Sequence, residues 1–203
     1  MSNVNQILKK EFILTIIIII ISSVSIKAQA NMDGAEVIIL SGDNNYLITE
    51  TNEKIVFYGN KILLSEQHVF YWDSNNKRNT IKQGKLKSLV VGDFRYMTLA
   101  VNNSMNRLHE IIGFNKQYVV TNYPGYLYVW DREFNLIEDR VSIRVYNNKL
   151  IIKAKEEIKE RVAKYFKDCP GFLDALFKNI DEENYPCSGI SNYNCNNSTN
   201  IID

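Results

Sequence analysis

Between Leu86 and Ile143 short apolar runs alternate with turn residues at a steady spacing, the pattern of a sheet built from consecutive hairpins. Leu86 to Val91 and Phe94 to Val101 are separated only by Gly92-Asp93. A two-residue link that begins with Gly suits a tight hairpin whose first central residue needs φ > 0. Runs at Arg107 to Ile112, Lys116 to Thr121 and Tyr126 to Asp131 follow, divided by Gly113-Phe114-Asn115 and Asn122-Tyr123-Pro124-Gly125. Glycine supplies unusual dihedrals in such links, and Pro124 fixes φ and removes a donor.

Upstream, Ala35 to Leu40 reads as a strand ended by Ser41-Gly42-Asp43-Asn44-Asn45, with Tyr46 to Thr49 as its pairing partner. Lys54 to Tyr58 and Lys61 to Ser65 flank Gly59-Asn60, which predicts a second two-residue hairpin. Gln67 to Asp73 contains Val69, Phe70, Tyr71 and Trp72, and a run apolar on both faces predicts a strand covered on both sides. Downstream, Leu136 to Ile143 and Arg144 to Tyr146 extend the β pattern, and Asn147-Asn148 reads as a turn into a last strand, Lys149 to Lys153.

The period then changes. Ile158, Val162 and Tyr165 or Phe166 recur at three- and four-residue steps between Lys155 and Phe166, as an amphipathic helix requires. Asp168-Cys169-Pro170 ends it, since Pro biases its predecessor away from helical dihedrals. A second helix starts near Pro170 and sets Phe172, Leu173, Leu176, Phe177 and Ile180 along one side. From Asp181 onward Asn, Ser and acidic residues dominate, predicting a mobile polar tail over 181–203. The chain therefore reads as mainly β and α+β overall: an antiparallel, hairpin-built sandwich or bent, barrel-like pair of sheets over 31–153, then a helical hairpin over 154–180.

Gly84-Lys85-Leu86-Lys87-Ser88-Leu89 leading to Gly92-Asp93-Phe94, then Leu127-Tyr128-Val129-Trp130-Asp131, then Tyr165-Phe166-Lys167-Asp168-Cys169-Pro170 form a combination that resembles uncharacterised exported β-rich proteins of Gram-negative bacteria. That resemblance implies export and a β-rich fold, and it carries no catalytic residue over.

The amino terminus points the same way. Lys9-Lys10 precede an apolar run, Phe12 to Ile21, which gives way to Ser22-Ser23-Val24-Ser25 and then Ala28-Gln29-Ala30, a small-x-small cleavage pattern. Residues 1–30 are thus expected to be a signal peptide cut after Ala30; retained uncut, the segment would be a membrane anchor, although the apolar run is shorter than the roughly 20 residues a span needs. The product would be periplasmic, at the cell surface or secreted. An eight-stranded outer-membrane barrel would suit the length, but such barrels close with a strand and this chain ends in helices and a polar tail.

Charge adds little. The chain carries 24 basic and 23 acidic residues, and losing Lys9, Lys10, Lys27 and Glu11 with the leader leaves a net charge of about −1. That balance gives no electrostatic footprint for nucleic acid. Lys77-Arg78 with Lys82, Lys85 and Lys87 form one local basic patch around a turn, either a solvated hairpin tip or a surface for an anionic glycan or lipid. The three cysteines, Cys169, Cys187 and Cys195, fall in the last fifth of the chain, and an exported location permits oxidation. Cys169 with Cys187 would tie the tail to the helices, whereas Cys187 with Cys195 would close a small loop; the first is preferred, though spacing alone does not fix a pairing.

Twelve Tyr, nine Phe and two Trp make aromatic residues the most suggestive chemistry. Tyr126, Tyr128 and Trp130 alternate and share one strand face. Open to solvent, that face is a platform for a sugar ring or peptide; turned inward, it is core, and Leu127 and Val129 on the other side are apolar too. Cys169 as a nucleophile with His109 as its base is a second candidate. A third is a carboxylate pair for glycoside cleavage drawn from Asp131, Glu133, Glu138 and Asp139. His68 and His109 have no carboxylate at ligand spacing, so no metal site is expected. Asp43-Asn44-Asn45 and Asp73-Ser74-Asn75-Asn76 lack the spaced carboxylates of a calcium loop and read as turns. Neither a G-x-S-x-G elbow nor a phosphate-binding glycine loop occurs, and no cofactor is expected. The expectation is a non-catalytic exported envelope protein that binds a glycan or a protein, with a hydrolase of envelope polysaccharide or peptide as the alternative.

Overall fold

A computed structural model of the chain describes residues 27–32, 35–39, 44–101, 106–123, 125–143, 147–182, 187 and 189–195. In chain order the strands are β1 (Lys27–Met32), β2 (Ala35–Ile39), β3 (Asn45–Thr49), β4 (Lys54–Val56), β5 (Tyr58–Leu64), β6 (His68–Trp72), β7 (Arg78–Lys82), β8 (Leu86–Val91), β9 (Phe94–Leu99), β10 (Arg107–Phe114), β11 (Tyr118–Tyr123), β12 (Tyr126–Asp131), β13 (Leu136–Ser142) and β14 (Tyr193–Asn194). Helix α1 spans Asn148–Arg161 and α2 spans Pro170–Asp181. The smaller sheet runs β1-β2-β5-β6-β7 and the larger β13-β12-β11-β10-β9-β8-β3-β4, with β14 on β10. All pairings are antiparallel except that of β14, and neither sheet closes into a barrel among the described residues.

The central hairpins follow the expected order. Val91 pairs with Phe94 across Gly92-Asp93, and Gly92 takes φ 57°, the left-handed value that a Cβ would oppose. Two other turn readings fail. Gly59 and Asn60 lie inside β5, where the register with β6 shifts between Tyr58 and Leu63, so they form an irregularity in a strand and not a hairpin. Nor does β3 pair with β2: β3 joins β4 and β8 in the larger sheet, while β2 joins β1 and β5 in the smaller one. The chain therefore crosses between sheets after β2, after β4 and again after β7.

Asn147 also serves another purpose than a turn between strands. It is the N-cap of α1, its side-chain oxygen accepting from the Leu150 N–H at 3.0 Å, so Lys149 to Lys153 are helical. Residues 144–146 lie outside the described residues. Pro170 opens α2 at a position where a missing N–H costs nothing.

The larger sheet is covered on one face by two neighbouring clusters. Toward β13, Ile112, Val120, Leu127 and Val129 meet Ala154 and Ile158 of α1 and Phe172, Leu176 and Ile180 of α2. Toward β3, Leu47, Leu89 and Leu108 meet Ile38, Ile62 and Val69 of the smaller sheet. The sandwich and the helical hairpin thus share one sheet.

Gly113 is the seat of α2. A Cβ there would stand 2.6 Å from the Phe172 ring, and Phe172 is fully buried. Gly113→Ala is expected to destabilise the protein by about 1–3 kcal/mol through overpacking. Urea unfolding measures it, and an unchanged midpoint would show that the helix yields without cost.

The tail is partly built into the fold. Tyr193 and Asn194 pair in parallel with Gly113 and Phe114, Ile190 is buried, and Asn192 N–H donates to the Ile111 carbonyl. The reading of 181–203 as a mobile tail is thereby corrected for residues 187 and 189–195. Of the expected leader, residues 1–26 lie outside the described residues. Lys27, Ala28, Gln29 and Ala30 belong to β1, so cleavage after Ala30 would leave only Asn31 and Met32 of that strand.

Candidate functional site

Tyr126, Tyr128 and Trp130 do share a face of β12, opposite the Leu127 and Val129 that meet the helices. That face is not open. Tyr128 is 4% exposed and Trp130 2%, packed with Leu99, Ile111, Phe114 and Val119 from the same sheet. Tyr126 is half-buried at the margin. The platform reading of this strand gives way to core.

His109 sits within that cluster. Its ring stacks on Tyr123 at 5.0 Å and meets the edges of Tyr128 and Trp130 at 4.9 and 5.8 Å. Thr121 Oγ1 accepts from Trp130 Nε1 at 2.8 Å and lies 3.2 Å from His109 Nδ1. Because the indole can only donate, the hydroxyl keeps its proton and one lone pair, and can meet Nδ1 as donor or acceptor according to the tautomer of the ring. Burial holds the imidazole pKa down to about 4.

Cys169 cannot act as the nucleophile. Its sulfur is bonded to Cys195, with the Cα atoms 5.6 Å apart, and it lies in the helix-side cluster while His109 lies on the opposite face of the sheet. The bond also corrects the expected Cys169–Cys187 pairing. The short strand β14 carries Cys195 beside α2, where Tyr193 packs on Phe172 with ring centroids 5.7 Å apart. Cys187 is buried in the same cluster and takes no part in that bond.

The carboxylates near β12 are engaged in local structure. Asp131 closes its turn by accepting from the backbone N–H groups of Glu133 and Asn135 and from the Asn135 side chain, which holds its carboxyl below the usual range. Asp73 does the same with Lys77, Asn79 and Asn75 at the β6–β7 turn, as turn chemistry predicts. Glu138 accepts from Arg161, Tyr165 and Lys164. Burial opposes its ionisation, but those three donors outweigh burial and lower its pKa. Among the described residues no group of three His, Cys, Asp or Glu side chains is placed to hold a metal ion, and Asp43 lies outside them.

The aromatic face that does meet solvent is on β6. Val69 and Tyr71 point into the core between the sheets, so His68, Phe70 and Trp72 point outward and are half-exposed. The outward side is partly covered, short of the full cover expected on both sides. The reason is register: β7 pairs His68 with Lys82, Phe70 with Thr80 and Trp72 with Arg78, all three partners exposed. The Arg78 guanidinium lies 4.4 Å from the Phe70 ring centre and the Lys61 ammonium 5.5 Å from that of Trp72. Tyr58, opposite Trp72 on β5, is 54% exposed. The alternation of His68, Phe70 and Trp72 was visible in the sequence; the outward direction was not, because Val69 and Tyr71 are equally apolar. No family model matches this chain, and no curated protein and no solved structure does either.

Proposed function

We propose that the protein is a non-catalytic, exported envelope protein that acts by binding, with a glycan or a protein as ligand. The observation that carries this reading is the outer face of β6, where half-buried rings lie beside exposed cations on a sheet, while Cys169, Asp131 and Glu138 are engaged in holding the fold. Rings set on a sheet present apolar area at low entropic cost, as binding surfaces require. A disulfide suits an oxidising compartment, which supports export, as does the leader pattern before Ala30.

The test is a binding screen of the processed protein against envelope polysaccharides, peptidoglycan fragments and envelope proteins. Saturable binding with the ligand recovered intact by mass spectrometry is expected. Recovery of cleaved ligand would replace binding with hydrolysis, and an empty screen would remove the proposal.

A further inference from the structure

Resting on that binding reading, we infer that the outer face of β5, β6 and β7 takes a carboxylate-bearing polysaccharide, its sugar rings on His68, Phe70 and Trp72 and its acid groups on Lys61, Arg78 and Lys82. The strands carry both halves of the argument. Residues two apart on β6 share a face about 7 Å apart, so three rings form a strip along the strand and not an isolated patch. His68 and Phe70 have their centroids 6.1 Å apart. The strip has a fixed floor, because Val69 beneath it is fully buried against the larger sheet.

The charge on the strip has one sign. None of the residues of β5, β6 or β7 is acidic, and the three cations flank the rings from both neighbouring strands. Arg78 and Lys82 lie on the β7 side at the Trp72 and His68 pairs, and Lys61 lies on the β5 side. At the ends, Asp73 is held by its own turn and Glu66 stands in the link between β5 and β6. A neutral glycan would use the rings and leave three cations without a purpose. An acidic one uses both, since a guanidinium presents a planar fork to a carboxylate. In the unbound protein Arg78 and Lys61 rest over the rings, a weak contact at exposed sites, so an acid group can draw each cation aside at little cost. A membrane surface fits less well, because these rings are half-buried on their strand and do not project to insert.

Polygalacturonate and its fully methyl-esterified form test this directly, being the same chain with and without charge. Titration calorimetry is expected to show binding of the acid form, at least about tenfold weaker binding of the ester, and weakening by salt on the order of 0.5 M. Trp72→Ala is expected to lose about tenfold. Arg78→Gln/Lys82→Gln is expected to lose a similar factor, and since both side chains are exposed this variant keeps its fold even where Trp72→Ala does not. Equal binding of acid and ester, or acid binding that the charge variant leaves intact, would overturn the inference. So would binding to phosphatidylglycerol vesicles in place of polygalacturonate. If a neutral glycan or a protein binds instead, the binding reading stands and the acidic ligand falls; if no ligand binds, both fall.

Discussion

Lowering the pH from 7 to 4 is expected to remove about 3 kcal/mol of folding stability through His109 alone. The unfolded chain takes up a proton on this ring as the pH falls through 6.5, whereas the folded protein does so only near 4 because burial disfavours the cation. Between those values the unfolded state binds more protons, so stability falls with falling pH by up to about 1.4 kcal/mol per pH unit. The full contribution is present above 6.5 and is lost by 4. Asp73 and Asp131, whose carboxyls are held below the usual range, lose their stabilising turn bonds only in more acid solution. Urea unfolding of the wild type and His109→Gln at pH 7, 5.5 and 4.5 separates these effects. The variant starts less stable, for lack of the ring contacts, but its curve between pH 6.5 and 4 is expected to be flatter. Parallel curves would show that the imidazole titrates normally and that the aromatic cluster admits water.

Removing the cross-link has an effect of similar size. The bond between Cys169 and Cys195 spans 26 residues. Closing such a loop restricts the unfolded chain by about 3.5 kcal/mol in the chain-entropy account. Cys169→Ser/Cys195→Ser is expected to lower stability by about 3 kcal/mol, and reducing agent is expected to weaken the wild type but leave that variant unchanged. Peptide mapping without reduction should recover a fragment joining Cys169 to Cys195. A fragment joining Cys169 to Cys187 would instead restore the pairing that the sequence suggested and remove the role given to β14.

How far the sequence reveals this protein depends on how local each feature is. The hairpins from β8 to β13 are local, each with its own turn chemistry, and Gly92 marks one of them unambiguously. Helix periodicity is likewise local, and Ile158, Val162, Phe172, Leu176 and Ile180 all reach the core. Ambiguity begins where one residue type serves two local structures. Asn147 suits a turn and also caps a helix, and Gly59-Asn60 suits a hairpin and also an irregularity inside a strand. Partner choice is not local at all: nothing near Ala35 to Ile39 says that β5 and not β3 will lie beside it.

The candidate sites fail for the same reason. Alternation assigns Tyr128 and Trp130 to one face, and His68, Phe70 and Trp72 to another, without telling which face water will see. The first set packs into a buried cluster on its own sheet, whereas Val69 and Tyr71 took the side of β6 that faces the larger sheet and left the second set on the other side. The basic residues gave the better hint. Arg78 and Lys82 belong to the basic patch that the sequence offers as a solvated hairpin tip or an anionic-ligand surface, and they flank the half-buried rings of β6.

The passage of the chain between sheets bears on how the molecule comes apart. The β3–β4 hairpin belongs to the larger sheet, yet it is held at both ends by strands of the smaller one, with Ile38 and Ile62 from β2 and β5 buried against Leu47 and Leu89. Peeling the smaller sheet away would pull on β3 from both sides and strip β8 of its neighbour. The two sheets are therefore expected to unfold together. A gene fragment cut before β8 would leave the remaining hairpins with an uncovered apolar face, prone to pair with other chains.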